Sequence, residues 1–314
     1  MYKITIVGSG NVGATIAYTL TTAGIASEIV MIDINNRRSV GEALDIRQGT
    51  PFCHPCKIYA GSYSDAIDSD IVVITSGMAR KADQSRLDLA QANVDVLKSI
   101  TPEILRYAPY ATYVIVSNPV DILTYTFSKY SGLPDRQVIG SGTILDTARL
   151  RSRISEYYAV NQQNVHAYVL GEHGDSSFIP WSIANISNVP IEQYGDCLIN
   201  KEARIEDFDK KDIEEYVRRS GAEVISRKGA TFYAVSMSVV HICKCLLSGI
   251  DTTLTVSTML HGEYGISDVC LSLLKIVGNT GAHSKVMLPL NSDELRALHH
   301  SAETLKNTIK QITI

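Results

Sequence analysis

The sequence predicts an α/β protein, a doubly wound parallel sheet followed by a second α+β lobe. Three observations carry this. Short β-branched runs alternate with amphipathic helical patterns through the first half. A glycine-rich turn joins the first run to the first helix. The second half changes to charged helical stretches and long strand-like runs, with no linker before it. The length of 314 residues allows two lobes, and 45% hydrophobic with 20% charged residues supplies a full core.

Composition narrows the function classes. The formal net charge of −4 gives no electrostatic reason to expect nucleic acid or an anionic membrane as partner. No apolar run approaches the roughly 18 residues of a membrane span. The first strand begins at Lys3, leaving no room for a signal peptide. Six irregularly spaced cysteines do not form a disulfide framework. The expectation is a soluble, reduced, cytoplasmic protein.

Ile4-Thr5-Ile6-Val7 reads as the first strand. Gly8-Ser9-Gly10-Asn11-Val12-Gly13 then opens a helix with Val12, Ile16, Ala17 and Leu20 on one face, and Gly24 stops it. A second strand, Ile29-Val30-Met31-Ile32, ends at Asp33. The order strand, glycine turn, helix, strand, acid is that of a Rossmann-type dinucleotide site. Gly8 allows the tight turn, Gly10 lets a pyrophosphate approach the backbone, and Gly13 lets helix and strand pack closely. Phosphates would sit against the free N–H groups at the helix start. Asp33 is placed to accept hydrogen bonds from the adenosine ribose, which favours NAD over NADP. Arg37 and Arg38 pull the other way unless they are a solvated helix face. A tight turn in another α/β fold is the alternative.

Residues 36–48 read as a helix, 57–60 and 71–74 as strands. Between them, Cys53-His54-Pro55-Cys56 has the spacing of a zinc knuckle or redox pair but lacks a second ligand pair, so no metal is expected. The polar, cationic stretch 76–86 follows a strand's carboxyl end, where loops face the ligand in such sheets, and could close over an anionic substrate. A helix over 86–107 follows, with Pro102 expected to break or restart it. Tyr113-Val114-Ile115-Val116 is a fifth strand, ending at Ser117-Asn118-Pro119. Asn118 is thus placed to hydrogen-bond a cofactor or substrate, or simply serves the turn. A sixth strand over 137–139 completes the first lobe, 1–141, and leaves 142–314 as the second.

In the second lobe Ser141-Gly142-Thr143 is expected to cap a helix carrying Asp146 and Arg149. Three apart, these share a face, as a helical salt bridge or as a carboxylate-binding fork. Strands are expected over 164–170 and 178–186. Between them lies Gly171-Glu172-His173-Gly174-Asp175, where glycines permit a close approach and a histidine can exchange a proton near neutral pH. An exposed helix is expected over 201–227, a helix over 231–247, strands over 252–260 and 269–274, and a turn over 278–281. A final amphipathic helix carries Leu295, Leu298, Ala302, Leu305, Ile309 and Ile312, capped by Asn291 or Ser292.

Taken together, Gly8 to Gly13, Ser117-Asn118-Pro119-Val120-Asp121, Ser141-Gly142-Thr143 through Leu145-Asp146-Thr147-Ala148-Arg149, Gly-Glu-His-Gly-Asp-Ser at 171–176 and the loop 80–86 resemble the L-lactate/L-malate dehydrogenase family along essentially the whole chain, nearest its bacterial L-lactate branch. The resemblance implies an NAD-dependent oxidoreductase acting on a small 2-hydroxy or 2-oxo acid. It implies His173 as acid/base, Asp146 as its orienting acid, and Arg149 as the clamp on the substrate carboxylate. Arg86 would polarise the substrate carbonyl, Asn118 would contact substrate and nicotinamide, and Thr231 would line the pocket. Gly8, Gly10, Asn11, Val12, Gly13 and Asp33 would hold the cofactor. Residues alone do not bring Asp146 to His173; the resemblance does.

Two features bear on substrate and control. Arg80 matches the family's substrate discriminator, where lactate-type members usually carry glutamine and malate-type members arginine. Glu172, Pro180-Trp181-Ser182 and Thr231 are lactate-like. The resemblance therefore implies L-lactate dehydrogenase, with L-malate dehydrogenase as the alternative and mixed use of pyruvate and oxaloacetate between them. Arg151 and His166 match positions that bind fructose 1,6-bisphosphate in members activated by it, so the resemblance allows that effector, as well as a homotetramer. Of other classes, a metal-assisted NAD enzyme would need a ligand cluster, and a non-catalytic NAD-binding protein would not need His173, Asp146, Arg149 and Arg86 together.

Overall fold

The computed structural model describes residues 2–78, 85–199 and 209–314. Arg80, most of the cationic loop and the start of the helix expected over 201–227 lie outside the described residues.

The first half forms β1 (Lys3–Val7), α1 (Asn11–Ala23), β2 (Glu28–Ile32), α2 (Asn36–Gly49), β3 (Lys57–Ala60), β4 (Ile71–Ile74), α3 (Arg86–Leu105), β5 (Thr112–Ile115), α4 (Val120–Ser131) and β6 (Val138–Gly140). These strands pair in parallel in the order β6-β5-β4-β1-β2-β3. That is the doubly wound order, with its switch point between β1 and β4. The continuous apolar runs follow from burial on both faces. Ile71 and Val73 join Ile4, Ile6, Ile16 and Leu20 in one core with α1. Val72 and Ile74 join Val94, Leu97 and Phe127 in the other, beneath α3 and α4.

The second half adds α5 (Ile144–Tyr158), β7 (Val165–His166), β8 (Asn185–Ile186), β9 (Val189–Pro190), α6 (Ile191–Tyr194), α7 (Lys210–Lys228), α8 (Tyr233–Leu246), β10 (Thr252–Glu263), β11 (Ile266–Gly278), β12 (Gly281–Lys285) and α9 (Ser292–Ile309). β10, β11 and β12 extend the parallel sheet as an antiparallel flank, joined to it where Ser257 pairs with Gly140. The result is one nine-stranded sheet, with β7, β8 and β9 forming a small separate one. A third core, under α5 and α7, includes Leu150, Ile154, Ile186, Ile213 and Val217.

Several expectations are corrected. The strands expected over 164–170 and 178–186 shrink to β7 and β8, with a single bridge between Leu170 and Phe178. Pro180 lacks the N–H a ladder needs and opens a 3-10 turn over Trp181–Ile183 instead. Pro102 neither breaks nor restarts α3, which ends at Leu105. The proline sits in its last turns, its carbonyl accepting from Arg106 N–H. Thr143 stands at the N-cap of α5, but its hydroxyl donates to Val169 O at 2.5 Å and caps nothing. Thr231 precedes α8 rather than starting it. The turn over 278–281 holds, but β12 after it was not expected. Asn291, not Ser292, caps α9, accepting from the N–H groups of Asp293 and Glu294.

The glycine turn has a steric basis. Gly8 has φ +108°, a region side chains rarely adopt. A Cβ on Gly13 would lie 1.9 Å from Gly8 O. Gly13→Ala is therefore expected to push α1 off β1, destabilising the protein by at least about 1–3 kcal/mol and weakening NADH binding. Urea denaturation and NADH fluorescence titration check this; an unchanged midpoint and affinity would refute it.

Candidate active site

The loops at the carboxyl ends of β1, β2, β4, β5 and β6 meet along one edge of the sheet, the edge where such sheets bind ligands. Gly8 N–H donates to Ile32 O at 2.7 Å, and Thr75 Oγ1 donates to Gly8 O at 2.8 Å, so the glycine turn is tied to both neighbouring strands. A Cβ on Gly10 would meet nothing within 4 Å. The start of α1 is thus an open cradle with a closed floor, which suits a pyrophosphate. Asp33 closes its side. It accepts from Ser9 N–H at 2.5 Å and from Asn35 N–H at 2.8 Å. Arg38 donates to Asn11 Oδ1 at 2.9 Å and lies 3.5 Å from Glu42, so it belongs to the rim of the cradle rather than to bare solvent. These residues fit a dinucleotide.

Next along the edge, Asn93 on α3 ties two loops together. Its Oδ1 accepts from Met78 N–H at 2.7 Å, and its Nδ2 donates to Asn118 O at 2.7 Å. Asn118 itself is exposed, before a cis bond to Pro119. Asn93 was not singled out from sequence. A buried asparagine within an apolar helix face was the available signal.

The loop after β7 is bolted down before it reaches the histidine. Gly171, at φ +90°, exchanges two backbone hydrogen bonds with Ser272 on β11, and Glu172 N–H donates to Ser301 Oγ on α9 at 2.7 Å. His173 Nδ1–H then donates to Asp146 Oδ2 at 2.6 Å, across 27 residues of chain. A carboxylate can only accept there, so the proton sits on Nδ1 and Nε2 lies outside this bond. Asp146 Oδ1 accepts from Arg149 at 2.8 Å. One carboxylate therefore serves two cations, with His173 27% exposed and Asp146 11%. Gly221 of α7 faces Arg149, with a Cβ position 3.7 Å from Nη2.

These contacts set the protonation. Burial alone would push the His173 imidazole down, but the Asp146 charge and hydrogen bond outweigh it and hold His173 above its ordinary value. Burial would likewise push Asp146 up, yet the His173 and Arg149 charges hold it below the usual carboxylate range. The salt bridge expected between Asp146 and Arg149 and the orienting contact to His173 are both present, on the same carboxylate.

Other site residues are less assembled. Arg86, at the first position of α3, bonds Asp175 at 2.6 Å with both side chains largely exposed, an arrangement of small energetic weight. Thr231 is half-buried before α8. Arg151 is half-buried, donating to Ala167 O at 3.1 Å beside the Tyr168 ring, and it lines a cavity of about 340 Å³ with Tyr168 and His241. His166 is exposed on β7. Cys53 and Cys56 are unpaired, and among the described residues no cluster of histidine, cysteine and acid side chains could hold a metal.

Two family sequence models match the chain. One, the lactate/malate dehydrogenase NAD binding domain, covers residues 2–140; the other, the lactate/malate dehydrogenase alpha/beta C-terminal domain, covers 143–313. The chain belongs to the lactate/malate dehydrogenase family. Among its relatives in that family, an L-lactate dehydrogenase of Acetivibrio thermocellus is 46% identical over 312 residues, 99% of this chain and 98% of its own. One of Thermoanaerobacter sp. is 45% identical over the full length of both. A crystal structure of minor L-lactate dehydrogenase from Enterococcus mundtii superposes with a TM-score of 0.94 at 36% identity, covering 100% of this chain and 99% of that one.

Asp146→Asn keeps the shape of the site but removes the charge His173 leans on. Turnover is expected to fall by about 10²–10⁴-fold, with the pH limb of reduction moving to lower pH. Steady-state kinetics across pH check both; an unmoved limb would remove Asp146 from this role.

Proposed function

We propose that the chain is an NAD-dependent L-lactate dehydrogenase, reducing pyruvate to L-lactate and running the reverse. The observation that carries the reading is His173, held by a buried carboxylate that also holds Arg149, beside a dinucleotide cradle. Residues 1–141 bind NAD through Gly8, Gly10, Asn11, Val12, Gly13 and Asp33, while 142–314 supply most of the substrate site. Bound there, NADH supplies the hydride equivalent to the carbonyl carbon.

The protein's own groups do the rest. Arg149 clamps the substrate carboxylate and fixes which face of the carbonyl is presented. Arg86 leaves Asp175 and polarises the carbonyl oxygen. As the carbonyl π bond opens, His173 gives its Nε2 proton to that oxygen, and Asp146 stabilises the imidazolium before the transfer. Asn118 and Thr231 border the reacting centre. Because His173 is held above its ordinary value, reduction needs the form that prevails below that raised value and loses rate as pH passes through it; oxidation gains rate over the same window.

Arg80 supports a second activity. An arginine facing C3 would pair with the second carboxylate of oxaloacetate and would lack a partner over the methyl of pyruvate. Mixed use is expected: kcat/KM values for pyruvate and oxaloacetate should lie within about a thousandfold of each other, and Arg80→Gln should lower oxaloacetate turnover more than pyruvate turnover. Equal losses would show that Arg80 does not read C3. A panel of 2-oxo acids followed by NADH absorbance tests the whole reading, and no turnover with any of them would leave an NAD-binding protein without this chemistry.

Arg151, His166 and the cavity at Arg151 support regulation by fructose 1,6-bisphosphate in a cytoplasmic homotetramer. If the bisphosphate changes neither the pyruvate saturation curve nor the sedimenting species, that regulation is absent. No helix among the described residues is long and apolar enough to cross a membrane.

A further inference from the structure

His173 is held by more than Asp146. Asp121, in the first turn of α4, is 3% exposed. Its Oδ2 accepts from His173 N–H at 2.7 Å, and its Oδ1 accepts from Ser257 Oγ on β10 at 2.6 Å. We propose that Asp121 is a positioning residue for proton transfer at His173: it pins the loop backbone at the histidine and supplies, in addition to Asp146, a second carboxylate that favours the protonated ring.

The charges support this. Arg149 opposes protonation of His173, while Asp146 and Asp121 both favour it. The protonated ring of His173 is thus favoured by two carboxylates against the one opposing cation. With Asp121 neutral, Asp146 alone would offset that opposition. The groups around Asp121 are His173 and Glu172 on the loop, Ser257 on β10 and Cys270 on β11, with Asp146 and Arg149 beyond the histidine on α5. None of the nearest is a permanent cation, and burial pushes Asp121 up to about 6. A carboxylate buried against its own charge, with both oxygens committed, is not what stability alone selects. It also joins three parts of the chain: the helix after Asn118, the antiparallel flank and the histidine loop.

The functional role rests on the dehydrogenase reading; the titration does not. Asp121→Asn preserves the shape. Its Oδ1 can still accept from His173 N–H, and its Nδ2 can donate to Ser257 Oγ once that hydroxyl turns. A group whose pKa is raised on folding favours the fold at low pH and loses that contribution as pH rises through its folded value, here about 6. The neutral variant should therefore melt no lower than the parent at neutral pH.

The test is an NMR titration of the His173 ring in the ligand-free full chain, assigned with His173→Gln, for the parent, Asp121→Asn and Ser257→Ala. The expected result is a fall in the His173 titration of at least about half a unit in Asp121→Asn, and a smaller fall in Ser257→Ala, which weakens the stabilisation of the Asp121 charge. The pH limb of 2-oxo acid reduction should follow. Unmoved titrations in both variants, or an activity loss that tracks only a lower melting temperature, would overturn the proposal. If Asp121→Asn does not fold, Ser257→Ala decides alone, and no downward shift overturns it. Absence of turnover with every 2-oxo acid would defeat the dehydrogenase reading and leave the titration result standing.

Discussion

One buried carboxylate shared by two cations sets the terms for the whole site. Asp146 faces His173 with one oxygen and Arg149 with the other. Removing either cation would leave a buried charge partly unmatched, and removing the carboxylate would leave two like charges together. The backbone around it is correspondingly fixed. Asp146 rides the first turn of α5, and the loop bearing His173 is fastened to β11, α9 and α4 before and at the histidine.

The fold makes that sharing possible by bringing both halves of the chain to one sheet edge. The parallel strands deliver Gly8, Asp33, Met78 and Asn118 at their carboxyl ends, and β6 leads directly into α5. The antiparallel flank then continues the same sheet, so from the far side of β6 Ser272 bonds the histidine loop at Gly171 and Ser257 bonds Asp121, which holds that loop at His173. Hydrogen bonding, rather than apolar packing, decides the last few ångströms. The apolar cores place α5 and the sheet, while Asn93, Asp121, Ser272 and Ser301 place the loops.

What was legible in the sequence was local. The run from Lys3 to Asp33 states its own structure, because a glycine turn, a helical stripe and a strand-end acid lie within a few turns of one another. The meeting of Asp146 and His173 was not legible from residue patterns; it depends on how β7 and α5 pack, and came only through family resemblance. Residues 178–186 read as a strand because their composition is β-like, but Pro180 turned them into a 3-10 segment. Asp121 enters the sequence reading merely as the last residue of Ser117-Asn118-Pro119-Val120-Asp121; its burial against Ser257 and the His173 backbone is what distinguishes it. The proposed role of Arg80 in substrate choice comes from its place in the sequence motif.

The most direct measurement is the pH dependence of kcat/KM in both directions on the same preparation, pyruvate reduction and L-lactate oxidation. One group held by Asp146 should produce two mirror-image limbs, reduction falling and oxidation rising with pH, both centred above the ordinary histidine value of 6.5. Limbs centred below that value, or rates in both directions that change the same way with pH, would contradict a proton shared between His173 and substrate.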